Sequence, residues 1–220
     1  MPPHSAPPAS SPCLLAEIEA EAAAQRLEVA RWRKAERLHL LDARRKRSVA
    51  EQGAYSARMN DVLAAFLAAR FGALAGKVLS GYWPIKGEPD LRPLLSRLSQ
   101  EGVQIALPVV AQPKAPLVFR PWAPGALMRP GLWSIPEPAT EEQVWPDIAL
   151  APVVGWTREG YRLGYGGGYY DRTLEGLRAK RPTLAIGFAF AAQEVDEVPI
   201  DATDQRLDAI VTEQGVRLFG

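Results

Sequence analysis

The sequence predicts an α/β fold: a single domain on a mostly parallel sheet, flanked by helices on both faces and preceded by N-terminal helices. Three observations carry this expectation. Apolar stretches of strand length, such as "VQIALPVV" (103–110) and "TLAIGFAF" (183–190), run almost without polar interruption, as strands buried on both faces do. They alternate with helix-patterned segments, which implies parallel strands joined by right-handed crossovers. The chain has 220 residues, 47% of them hydrophobic, enough for one core.

Residues 1–13 open with "MPPHSAPPASSP", rich in Pro, Ser and Ala, and are expected to be a disordered tail. The stretch has neither the basic nor the apolar part of a signal peptide. Over 14–47 Ala, Leu, Glu and Arg dominate and no Pro or Gly interrupts, which predicts a helix. Its second half carries Arg31, Arg33, Lys34, Arg37, Arg44, Arg45, Lys46 and Arg47, either a solvated face or a set of cations aimed at phosphates. A second helix, about 54–70, places Val62, Leu63, Phe66 and Leu67 on one face. "KVLSGYW" (77–83) reads as a strand, "DLRPLLSRLSQEG" (90–102) as a helix closed by Gly102, and 103–110 as the next strand, together a βαβ unit. The Pro-rich stretch 111–146 holds one strand, "LVFRPW", among irregular loops. The alternation resumes with a strand over 147–156, a helix over about 168–180, a strand over 183–190 and short terminal strands at 207–213 and 216–219. The domain thus spans 14–220, with the helices of 14–70 packed on it.

A net charge of +1 gives no global field for nucleic acid or a membrane, and Trp32 is the one aromatic within the basic helical segment. No apolar stretch is long enough to span a bilayer. The single cysteine, Cys13, allows no disulfide within the chain, and no metal cluster is in sight. Both fit a reducing cytosol, so a cytoplasmic monomer acting on small molecules is expected.

"RLGYGGGYYDRTL" (162–174) lies just beyond the carboxyl end of a predicted strand, where ligands sit in such sheets. It is not a Walker A loop, for no Gly-Lys-Ser/Thr follows, and Tyr169 breaks the dinucleotide fingerprint. The physical content remains. A glycine run feeding a helix aims several N–H groups at one point, which suits an anion. Arg162 at the entrance can contact phosphate, and Asp171 in the first helical turn can hold Mg²⁺ with phosphate oxygens. The residues alone leave a second reading open, a glycine turn with Asp171 favouring a helix N-terminus.

This stretch, with "APVVGWTREGY" before it, resembles the signature of the 5-formyltetrahydrofolate cyclo-ligase family, the methenyltetrahydrofolate synthetases. "YWPIKGEPDLRPLL", "IALPVV", "GLWSIPEP" and "VPIDATDQRLDAIVTE" resemble further family blocks, in order across about 77–213. The resemblance implies an enzyme that uses ATP and Mg²⁺ to convert 5-formyltetrahydrofolate into 5,10-methenyltetrahydrofolate. The formyl oxygen takes the γ-phosphoryl group, nitrogen 10 attacks the activated carbon, and phosphate leaves.

Position by position, the resemblance assigns Arg162 and the loop Gly164, Tyr165, Gly166, Gly167 and Gly168 to the ATP phosphates. It assigns Asp171 and Asp204 to Mg²⁺, and Glu88 to folate. Trp83 and Trp133 offer aromatic faces for a pterin or benzoyl ring, with core packing as the plain alternative. Tyr169 and Tyr170 line the site or pack beneath the loop, and Asp208 is structural. The family's N-terminal Lys-x-x-Leu-Arg motif appears altered, as "KAERL" (34–38), with Lys34 and Arg37 as its cations toward ATP. Tyr165 and Gly167 stand where some members have Arg and Lys, which draws attention to Lys34 and Lys86, and Thr203 stands where His is frequent. Two rival readings share these parts: a paralogue phosphorylating another amide, as in thiamine-related salvage, and a non-catalytic folate or nucleotide-binding module.

Overall fold

The computed structural model describes residues 12–220. The chain runs α1 (Pro12–Arg45), α2 (Val49–Phe71), β1 (Val78–Ser80), α3 (Arg92–Gln100), β2 (Gln104–Val109) and β3 (Val118–Trp122). It continues through β4 (Met128–Pro130), β5 (Pro136–Pro138), β6 (Ile148–Pro152), β7 (Gly155–Trp156), β8 (Arg162–Leu163) and α4 (Tyr169–Arg178), and ends in β9 (Leu184–Phe188), β10 (Ala209–Thr212) and β11 (Gly215–Leu218). Of the expected tail, residues 1–11 lie outside the described residues, and the last two open α1.

Seven strands form one sheet in the order β11-β10-β9-β6-β1-β2-β3. The five inner strands are parallel, and β11 and β3 pair antiparallel at the two edges. The mostly parallel sheet of the sequence reading is therefore present. Alternation along β6 sorts its side chains. Ile148 and Leu150 join the core under α2 and α3, with Leu63, Leu67, Leu94 and Leu95. Ala149 and Ala151 face the other way, onto Leu174 of α4. Each leucine so buried contributes about 1.5–3 kcal/mol, which outweighs the weak intrinsic helicity of segments as short as α3 and α4.

Three regions differ from expectation: the stretch 111–146, expected to hold one strand among irregular loops, also forms the antiparallel β4–β5 ribbon, and two elements have other bounds. The second helix starts at Val49, not near 54, because Ser48 and Glu51 form a capping box. The Ser48 hydroxyl accepts from Glu51 N at 3.2 Å, and Glu51 Oε2 accepts from Ser48 N at 2.9 Å. Such a cap is worth about 1 kcal/mol and offsets Gly53 inside the helix. The expected strand 147–156 ends at Pro152, and its last two residues pair instead with β8 in a separate ribbon. That ribbon carries the chain to the glycine loop.

Parallel strands put their carboxyl ends on one edge. The segment 81–91 after β1, the run 153–168 after β6 and the loop 189–208 after β9 all leave from there.

Candidate active site

The glycine loop connects β8 to α4, and its backbone needs glycine at two points. Gly166 has φ 95°, and a Cβ there would meet the Arg37 guanidinium carbon at 3.3 Å. Gly168, at φ 63°, is the N-cap of α4 and supplies no side chain to cap it. The first-turn N–H groups of α4 are thereby left for a ligand at the positive end of the helix.

Cations gather beneath this loop from α1. Arg37 Nε donates to Gly164 O at 2.6 Å. Its pKa is lowered, first by burial and then by the neighbouring Arg33. Arg33 pairs with Asp204 and donates to Pro199 O in the loop after β9. Lys34, which the sequence reading aimed at the nucleotide, is exposed on another face of the helix. Arg33 and Arg37, four apart, share the inward face instead. On the far side of the loop Arg172 Nη2 donates to Gly167 O at 2.6 Å.

Arg162 is not at an entrance. Its side chain is 4% exposed, with Nη2 on Asp171 Oδ1 at 2.7 Å and Nη1 on Gln205 O. Burial lowers its pKa, and the Asp171 charge opposes that shift. Asp171 Oδ1 also accepts from Gln205 N at 3.1 Å. Both hydrogen bonds end on one carboxylate oxygen, and Oδ2 of this partly exposed side chain is not engaged among the described residues. Asp204 accepts from Arg33 and, at 2.8 Å, from Asp201 N. Asp171 therefore meets the chain at Gln205, next to Asp204, and Arg162 feels both charges.

Glu88 is 7% exposed in the loop after β1. Its Oε2 accepts from Ile85 N and its Oε1 from the Tyr165 hydroxyl, each at 2.8 Å. Burial lifts its pKa to about 7, against the opposing pull of these donors and of Arg44 and Lys86. Tyr165, within the glycine loop, is held protonated by burial and by the Glu88 charge. Arg44, 1% exposed, donates to the Tyr165 hydroxyl at 3.2 Å, to Val153 O at 2.6 Å and to Gln193 Oε1 at 3.1 Å. Lys86 lies with Nζ 5.2 Å from the Tyr165 ring centroid.

The aromatics separate. Trp133 is 68% exposed and meets Tyr169 edge-on at 6.0 Å. Trp133 and Ser134 both have positive φ, 56° and 59°, which costs about 1–3 kcal/mol each and holds the indole in the open rather than in the core. Trp83 is half-buried, packed against the core with the Arg92 guanidinium 5.0 Å above its ring. Tyr170 is held by the fold: its hydroxyl donates to Leu150 O at 3.2 Å and its ring packs against the cluster of Ala149, Ala151 and Leu174, with its phenol near the charges of Glu88 and Arg162. Asp208 holds Arg178 and Ala185 N, as a structural residue does, and the Thr203 side chain caps within its own turn on Asp201.

The sequence reading missed Arg33 and Arg44 as inward residues. The signal was present: Arg33, Arg37, Leu40 and Arg44 recur at steps of four, three and four, one stripe of a helix. Two clefts, of about 660 and 870 Å³, open at the amino edge of the sheet instead. They are lined by residues such as Gln104 and Leu127, and Lys77 and Asp147, and contain none of the expected site residues. Among the described residues no helix is long and apolar enough to cross a membrane, and no group of three or more His, Cys, Asp or Glu could hold a metal by itself.

The sequence pattern of the 5-formyltetrahydrofolate cyclo-ligase family matches residues 29–213. The chain is 34% identical over 132 residues to the 5-formyltetrahydrofolate cyclo-ligase of Escherichia coli K12, covering 57% of this chain and 72% of that protein. The solution structure of the Aquifex aeolicus 5,10-methenyltetrahydrofolate synthetase superposes with a TM-score of 0.69 at 31% identity, over 84% of this chain and 92% of that one. The Mycoplasma pneumoniae 5,10-methenyltetrahydrofolate synthetase superposes with a TM-score of 0.65 at 26% identity, over 82% and 98%.

Proposed function

The chain belongs to the 5-formyltetrahydrofolate cyclo-ligase family, and from that premise we propose that it converts 5-formyltetrahydrofolate to 5,10-methenyltetrahydrofolate with MgATP, yielding ADP and phosphate. The observation that carries this reading is the meeting of two loops at one sheet edge. An arginine-backed glycine loop, suited to phosphates, touches a buried glutamate suited to a neutral heterocycle with N–H donors.

In this reading the backbone from Gly164 to Gly168 and the N-terminus of α4 cradle the triphosphate, with Arg37 and Arg33 behind them. Phosphoryl transfer asks the protein mainly for positioning and for neutralised oxygens. Arg162 acts one step back: it fixes Asp171 and the 204–205 segment. Asp171 fits a Mg²⁺ ion, since it is partly exposed and its Oδ2 is not engaged among the described residues; Asp204, whose two oxygens both accept from Arg33, would join only by giving up that pair. The ion supplies charge neutralisation at the phosphate oxygens when bound. Glu88 has four acceptor positions, two of them filled by Ile85 N and Tyr165; the other two suit paired N–H groups of a pterin. Trp133 and Tyr169 give an open aromatic corner beside the loop for the benzoyl end. The formyl oxygen then receives the γ-phosphoryl group, and nitrogen 10 closes the ring as phosphate leaves.

The test mixes the protein with 5-formyltetrahydrofolate and MgATP and follows the absorbance of methenyltetrahydrofolate together with ADP release. One ADP per methenyl product is expected. Binding of both ligands without turnover would favour the binding module, and ADP release only with another amide would favour the paralogue.

A further inference from the structure

We propose that Arg44 and Tyr165 are positioning residues that aim the Glu88 carboxylate, making α1, the glycine loop and the loop after β1 one ligand-binding unit. The inference rests on the functional reading above for the ligand, and on geometry alone for the relay.

The chain of contacts is continuous. Arg44 is anchored at the carboxyl ends of β6 and β9, through Val153 O and through Gln193, which itself donates to Val154 O. Its Nη1 donates to the Tyr165 hydroxyl, and that hydroxyl donates to Glu88 Oε1. The phenol oxygen has one proton to give, so the Arg44 contact commits it to Glu88. The stem of Arg44 also supports the glutamate loop directly: a Cβ at Gly87 would lie 3.6 Å from Arg44 Cδ.

The groups facing Glu88 are the Ile85 N–H, the Tyr165 hydroxyl, the Arg44 and Lys86 cations, and the phenols of Tyr82 and Tyr170, whose own ionisation Glu88 disfavours. Of the donors, Tyr165 alone comes from another loop. Removing its oxygen leaves a buried carboxylate with one partner fewer and favours the protonated form.

Tyr165→Phe keeps the ring and removes that oxygen. The carboxyl carbon of Glu88, followed by ¹³C NMR in the ligand-free protein, should titrate about one pH unit higher than in the wild type. Affinity for 5-formyltetrahydrofolate at pH 7 should fall about five-fold, the loss of ionised fraction that this shift produces, and should recover by about pH 9. Tyr165→Arg, which restores a donor, should return the titration to the wild-type midpoint or below. An unmoved Glu88 titration would overturn the proposal, and so would an affinity loss equal at all pH values, the mark of packing alone. If the wild type binds no 5-formyltetrahydrofolate while the Glu88 titration still moves, the functional reading falls and the relay stands.

Discussion

Glu88→Gln in the ligand-free protein should be more stable than the wild type at alkaline pH, and the gain should vanish in acid. Burial raises the native Glu88 pKa from 4.5 to about 7. Between those two values the native state keeps a proton that the unfolded state releases. Stability therefore falls as pH rises through this window and levels off above about 7. At about 1.4 kcal/mol per pH unit, the gap is worth about 3 kcal/mol. Glutamine has nearly the same shape and no charge, so it removes the dependence. It also turns one acceptor into an amide donor, against Ile85 N or the Tyr165 hydroxyl, which costs about 1–3 kcal/mol at every pH. The two contributions separate because one depends on pH and the other does not. Urea unfolding of both proteins from pH 4.5 to 8, in half-unit steps, gives a difference curve. That curve should rise by about 3 kcal/mol with its midpoint inside the window. Parallel stability curves would refute the reasoning, and would mean that Glu88 is solvated or paired well enough to ionise normally. The same variant should lose affinity for 5-formyltetrahydrofolate.

Three other expectations follow from the site. Arg162→Ala removes the buried guanidinium from the partly exposed Asp171 and from Gln205 O, and should lower stability by about 1.5–3 kcal/mol besides raising the KM for ATP; a normal melting temperature would mean the arginine is peripheral. Asp171→Asn keeps the shape and should cost a rate factor on the order of 10², about 3 kcal/mol, in single-turnover assays at saturating Mg²⁺; an unchanged rate would reassign it to fixing Arg162. Arg33→Ala should raise the KM for ATP at least several-fold while Lys34→Ala should leave it within two-fold, and steady-state kinetics showing the reverse would restore Lys34 as the motif cation read from sequence.

The layered fold was legible because its signals are local. Continuous apolar runs mark buried strands, and β1, β2, β6 and β9 appear within a few residues of their expected places. The glycine loop was legible for the same reason, since composition alone predicts a backbone-lined turn at a strand end. What sequence could not give is which way a long polar side chain turns. Arg162 reads as exposed at a loop mouth, yet its guanidinium is buried because Asp171 and Gln205 converge on it from elements 9 and 43 residues away. Tyr170 follows its neighbour Tyr169 in sequence but lies on the sheet side of α4, where burial satisfies its hydroxyl on Leu150 O. Arg44 sits in a run of basic residues that looks like a solvated face; its helical stripe with Leu40 hints at an inward side, but its partners, Val153 O among them, come only with the docked helix.

The inward arginines of α1 tie the earliest part of the described chain to its latest. Arg33 reaches Asp204 across 171 residues, Arg44 reaches Gln193 across 149, and Arg37 reaches Gly164 across 127. Contacts so distant in sequence close the largest loops and form late. α1 leaves the ribosome well before its partners, first Val153 and Gly164 and later Gln193 and Asp204. The sheet can close while the pocket is still open, and these long-range contacts are then expected to complete the ligand site after the sheet. The N-terminal helix acts as a bolt, drawn across after the door is hung.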